Sequence, residues 1–141
     1  MPAGTRLAEK PPPYAPHADG RIGLGRRGEE AAGKHLLSVG YRILERRYRT
    51  RAGEIDFIAR DGDAIVFIEV KTRTSFRCGR PAEAVDRRKR ARITRAAALY
   101  LARLGGGDSP CRFDVVEVME GPAGALSVRL IRDAFDTGPS S

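Results

Sequence analysis

The chain has 141 residues, one domain's worth, and carries 26 Lys and Arg against 18 Asp and Glu, a formal net charge of +8. No apolar run reaches the ~20 residues that span a bilayer, two cysteines (Cys78 and Cys111) are too few for a disulfide framework or a four-cysteine zinc site, and the opening residues lack the apolar stretch of a secretory signal. What these figures leave is a small, soluble, cytoplasmic domain in which only four of the 26 cations are lysines and whose positive excess suits a polyanion.

Residues 1–20 contain Pro2, Pro11, Pro12, Pro13 and Pro16 and few large apolar side chains. Such a stretch cannot bury enough surface to offset its ordering entropy, so it reads as a disordered arm before a domain at 21–136. Residues 137–141 read as a flexible tail. Residues 26–39 place Ala32, Leu36 and Val39 at helical spacing, with Glu29 and Glu30 near the positive end of the helix dipole and Gly40 as the stop. Residues 41–49 and 53–60 predict two strands, Asp61-Gly62 a tight turn, and 64–72 a third strand. The run Ile65, Val66, Phe67, Ile68 and Val70 suggests burial on both faces and a central position. A loop over 74–81 follows, then a long helix over 82–103 with Ala84, Ile93, Ala97, Tyr100 and Leu101 near one face, ended by Gly105, Gly106 and Gly107. Strands over 112–118 and 125–131 complete the order αβββαββ. The second helix supplies a crossover between the third and fourth strands, so the fold class is α/β with a mixed central sheet flanked by helices.

Three polar residues stand where a buried sheet has no use for them. Asp56 lies between Ile55 and Phe57 in the second strand, and Glu69 and Lys71 flank Val70 in the third. Residues two apart on a strand share a face, so Glu69 and Lys71 project together beside the strand that holds Asp56. An E-x-K triplet alone is a common surface ion pair. Here Asp56 precedes Glu69 by thirteen residues, the span of a short hairpin, and all three sit in the most apolar part of the chain, where an unpaired charge is costly. Two converging carboxylates repel unless a cation lies between them, and oxygen ligands with water suit Mg²⁺ or Mn²⁺. A neighbouring lysine then offsets charge at a bound phosphate or positions an attacking water, the parts of a metal-assisted phosphodiester hydrolysis.

These residues resemble the PD-(D/E)xK nuclease signature. With the flanking blocks Gly25-x-x-Gly28-Glu29-x-x-Ala32, Gly40-Tyr41, Gly53-Glu54-Ile55-Asp56-x-Ile58, Phe67-Ile68-Glu69-Val70-Lys71-Thr72-Arg73, Lys89-x-x-Arg92-Ile93 and Arg112-Phe113-Asp114-Val115-Val116, the chain resembles the UPF0102 (YraN-like) family. The resemblance implies a restriction-endonuclease-like core, similar to archaeal Holliday junction resolvases, and a metal-dependent nuclease. It implies Asp56 and Glu69 as metal ligands and Lys71 as the catalytic lysine. Glu29 matches an acid that many nucleases of this fold add to the site, although compensation of the helix dipole accounts for it equally well. Glu54, two residues before Asp56, is either a supporting acid or salt-bridged. Ile55 departs from the proline in the signature's name, and Arg47 stands where relatives often carry asparagine.

The cations cluster twice. Residues 42–51 hold Arg42, Arg46, Arg47, Arg49 and Arg51 against one acid, Glu45, and residues 86–95 hold Arg87, Arg88, Lys89, Arg90, Arg92 and Arg95 against one acid, Asp86. Cations at a helix start oppose its dipole, so the second cluster is suited to a ligand, and nucleic-acid phosphates are the natural one. Arg73, Lys89, Arg92, Arg47 and Arg49 are the candidate contacts, with DNA favoured over RNA. No helix-turn-helix or zinc-finger spacing and no aromatic strip is present, which predicts recognition of backbone and shape, including branched DNA. By analogy with resolvases the chain is a candidate homodimer. The alternative is a nucleic-acid-binding protein on the same fold without turnover. Arg112-Phe113-Asp114 reads as structural, with Phe113 in the core and Asp114 pairing an arginine.

Overall fold

A computed structural model describes residues 23–74, 87–106 and 108–135. The expected arm (1–20), the tail (137–141), most of the loop at 74–81, Gly107 and residues 82–86 of the expected second helix lie outside the described residues. Helix α1 (Gly23–Ser38) is followed by strands β1 (Arg42–Thr50), β2 (Gly53–Asp61) and β3 (Ala64–Thr74). Helix α2 (Arg87–Arg103), strand β4 (Cys111–Glu120), a short 3-10 turn (Pro122–Gly124) and strand β5 (Leu126–Ile131) complete the chain. The five strands form one sheet in the order β1-β2-β3-β4-β5. Only β3 and β4 are parallel; the other three pairings are antiparallel. The class, the element order and the mixed sheet are those the sequence predicts, and the arrangement is consistent with a nuclease-like core.

The unbroken apolar run of β3 is explained by helices on both sides of the sheet. Ile65 and Phe67 join a core with Ile93, Ala96, Ala97 and Tyr100 of α2. Val66 and Ile68 point the other way, into a second core with Ala32 and Leu36 of α1. Helix α1 begins three residues earlier than the periodicity indicates and ends at Ser38. Gly40 (φ 97°) then turns the chain in the left-handed region, and the amide of Tyr41 donates to the Leu36 carbonyl. Val39, which the spacing assigns to the apolar face, is exposed because the helix has already ended.

A buried polar network locks the far end of the sheet. Asp114 is fully buried. It accepts hydrogen bonds from Tyr41 Oη (2.7 Å), Arg112 Nε (3.0 Å) and the amide of Asp133 (2.9 Å). Arg112 also reaches Asp61 at 2.8 Å. One carboxylate thereby ties β4 to the residue after α1, to the β2–β3 turn and to the segment after β5, which satisfies its charge without water.

Close approach of α1 to β3 is made possible by Gly28, the buried glycine one residue before Glu29. A Cβ there would overlap Thr72 Oγ1 and lie 2.9 Å from Thr72 Cγ2. Gly28→Ala should therefore destabilise the protein by about 1–3 kcal/mol through overpacking. Urea unfolding measures the loss, and Thr72→Ala in the same chain should recover part of it; full additivity of the two changes would show that they do not meet.

Candidate functional site

The site is built where two paired strands come apart. The β2–β3 ladder runs from Asp61↔Ala64 to Phe57↔Ile68 and stops. One residue further along, Asp56 Oδ2 accepts the amide of Val70 at 2.8 Å, so a side chain replaces the strand carbonyl that would otherwise satisfy that donor.

The β1–β2 hairpin changes faces at the same level. Arg46 lies over the Phe57 ring (5.3 Å) on the α1 side, whereas Tyr48 packs edge-on against Tyr100 of α2 (5.1 Å). In a regular strand, residues two apart would share a face. Arg47 between them has a φ of 49°, and this left-handed residue reverses the alternation. Opposite it, Ile55 belongs to the α2-side core and Phe57 to the α1-side core, so Asp56 occupies the pivot of the hairpin.

Acids from three elements converge on that pivot. Glu69 of β3 is only 5% exposed, and Lys89, near the start of α2, meets its Oε2 at 2.7 Å. Glu29 of α1 accepts from Arg47 Nε and Nη2 at 3.2 and 2.9 Å. Glu54 is exposed and lies 3.8 Å from Arg49 Nε. Burial, and then the charge of Glu69, push the Asp56 carboxyl up from its ordinary 3.8 to about 7; the Val70 amide opposes the shift, and Glu29 and Glu54 add to it.

Lys71 and Arg73 follow Glu69 along the same side of β3. Arg73 Nε is buried without a hydrogen-bond partner. Lys71 is in register with Glu117 of β4, which is 7% exposed and has Arg129 Nη1 at 3.9 Å. The sequence reading passed over Glu117, although an acid framed by Val116 and Val118 carries the same signal that singled out Glu69.

The structure thus brings Asp56, Glu69, Glu29, Arg47 and Lys89 together, with Lys71 and Arg73 extending from them along β3. Of the expected phosphate contacts, Lys89 and Arg47 are engaged inside the cluster by Glu69 and Glu29. Arg49 and Arg92 are exposed at the rim, and Arg92 packs over Gly53 at the β1–β2 turn. Helix α2 lies across β1 and β2, with Arg103 Nη1 donating to Tyr48 Oη at 2.9 Å.

The donor set suits a hard divalent cation. Asp56 and Glu69 supply carboxylate oxygens whose mutual repulsion such an ion would relieve. Among the described residues no group of three or more His, Cys, Asp or Glu is gathered as a metal cluster. Two protein ligands leave the remaining positions to water and substrate oxygens, as magnesium sites commonly do. No helix among the described residues is long and apolar enough to cross a membrane.

The profile of a family described as "Uncharacterised protein family UPF0102" matches residues 28–118, from the glycine before Glu29 to the buried part of β4. A UPF0102 protein of Symbiobacterium thermophilum is 56% identical over 112 residues, covering 79% of this chain and 95% of its own. One from Chlorobaculum parvum is 53% identical over 110 residues (78% and 83%), and one from Frankia alni 51% over 112 (79% and 93%).

The raised Asp56 pKa has a defined consequence for stability. The folded chain holds this proton more tightly than the unfolded chain, so stability falls as pH rises from about 4 through about 7. Metal-free Asp56→Asn, which cannot ionise there, should melt above the wild type at pH 8, and the gap should narrow as pH falls towards 4. Parallel melting curves across that range would show that Asp56 carries no such strain.

Proposed function

The chain belongs to the UPF0102 family, and from that premise we propose that it is a metal-dependent nuclease of the PD-(D/E)xK type, acting on the phosphodiester backbone of DNA. The family's description names no activity, so the reading rests on the site. The observation that carries it is the fork between β2 and β3, where Asp56 and Glu69 are crowded enough to hold one carboxyl protonated near neutrality. Lys71 and the open donor of Arg73 lie on the same strand as Glu69. Crowded acids call for a cation, and the basic side chains of Lys71 and Arg73 further along the same strand suit an anion. A phosphodiester with a divalent ion supplies both.

Asp56 and Glu69 would hold Mg²⁺ or Mn²⁺. When bound, the ion supplies Lewis-acid stabilisation of phosphate charge and lowers the pKa of a water. Lys71 offsets the charge that builds on the phosphate or orients the attacking water, and Arg73 donates to a phosphate oxygen. Glu29, held by Arg47, adds negative potential at Asp56. Arg49 and Arg92, both exposed, hold backbone phosphates and fix the register of the strand without reading bases. Recognition by backbone and shape suits structured or branched DNA. A homodimer would present two such sites to two strands, and the resolvase likeness and a cytoplasmic location belong to the same reading.

Incubation with Mg²⁺ or Mn²⁺ and a panel of linear, flapped and four-way DNA and RNA tests it. Wild type should cut DNA, while Asp56→Ala, Glu69→Ala and Lys71→Ala, each still folded, should not. Cleavage that survives all three changes would overturn the site assignment, and salt-sensitive binding with no product on any substrate would favour the non-catalytic binding protein. Arg73→Gln should weaken DNA binding and reduce the slope of log affinity against log salt by about one; an unchanged slope would remove Arg73 from the phosphate path.

A further inference from the structure

Lys89 is placed on a carboxylate that the metal would need. Its ammonium lies 2.7 Å from Glu69 Oε2, and the Glu69 side chain is 6% exposed while that of Lys89 is 34% exposed. The acid is fixed and buried. Its partner is the more exposed of the two and sits on a flexible four-carbon stem that lets the ammonium move. A divalent ion at Asp56 and Glu69 would meet this ammonium as a like charge on the same carboxylate, so the two cations compete.

The surroundings of Lys89 supply an alternative partner. Arg87, Arg88 and Arg92 are exposed on the same stretch of α2, and Arg92 lies over Gly53 at the start of β2. A phosphodiester drawn to these guanidiniums arrives within reach of Lys89. A lysine ammonium binds phosphate as a point charge and has no geometric reason to prefer the carboxylate.

We propose that Lys89 is a positioning residue that occupies Glu69 until a nucleic-acid phosphate draws it away, so that the divalent ion and the nucleic acid load together. This rests on the metal-dependent nuclease reading. The free protein binds metal weakly, because each ion must displace Lys89. Phosphate removes the competitor, and by linkage the metal strengthens nucleic-acid binding by the same factor. The coupling keeps the metal centre incomplete when no substrate is present.

The test counts bound Mn²⁺ at pH 8 from the electron paramagnetic resonance of the free ion, for wild type, Lys89→Met, Lys89→Arg and Glu69→Gln. Lys89→Met should bind Mn²⁺ roughly tenfold or more tightly than wild type, Lys89→Arg should stay weak because it keeps the charge, and Glu69→Gln should bind least. In parallel, Ca²⁺ should tighten binding of a short DNA duplex to wild type by a larger factor than binding to Lys89→Met, which keeps only the direct attraction of the ion for phosphate. Equal Mn²⁺ affinity in wild type and Lys89→Met, with Glu69→Gln impaired, would overturn the role of Lys89 and leave the metal site standing. Absence of Mn²⁺ binding from wild type and Lys89→Met alike would instead overturn the metal site, and this proposal with it.

Discussion

An ionised carboxylate cannot stay at the end of a buried strand without something to hold it, and this requirement organises one end of the sheet. Asp56 answers the amide of Val70, Glu69 meets Lys89 and Glu29 meets Arg47. Each contact joins a different pair of elements: β2 with β3, β3 with α2, and α1 with β1. The acids that make the site chemically unusual are also the points at which helices and strands are fastened together. Removing a charge there alters packing as well as chemistry, and for this reason the conservative amide substitution is more informative than a truncation.

The opposite end of the sheet uses the same physics to another purpose. Asp114 is as charged as Glu69 and more deeply buried, yet its bonds to Tyr41, Arg112 and the Asp133 amide satisfy it completely within the fold. Among the described residues no buried side-chain donor is left open there. At the Glu69 end, the Asp56 carboxyl is pushed up by its neighbours and Arg73 Nε has no acceptor. A satisfied network is structural, whereas an unbalanced one is poised for a ligand.

The basic surface follows from the crossover. Helix α2 must return across the sheet to bring β4 parallel to β3, and it lies over β2 and the edge strand β1. That path sets the start of α2 at the fork, where Lys89 meets Glu69, and lays Arg92 over Gly53.

Much of this was legible in the residues. The unbroken apolar run of β3 required two covered faces and a central strand, Gly40 and Asp61-Gly62 marked real turns, and the order αβββαββ required a mixed sheet. Asp56, Glu69 and Lys71 stood out because charge inside an apolar strand is costly. What the sequence by itself determined was composition along each strand: which residues are apolar, which are charged, and how far apart they are. The tertiary structure alone decided which charges meet. Strand alternation was broken at the left-handed Arg47 of β1 and again opposite it in β2, where Ile55 and Phe57 face opposite cores. Lys89 reached Glu69 across twenty residues of chain because helix packing, which no local period encodes, set α2 against that end of β3. Local pattern follows from the geometry of one strand or one helix, but charge pairing depends on how those elements are placed against one another, and that is settled only when the cores close.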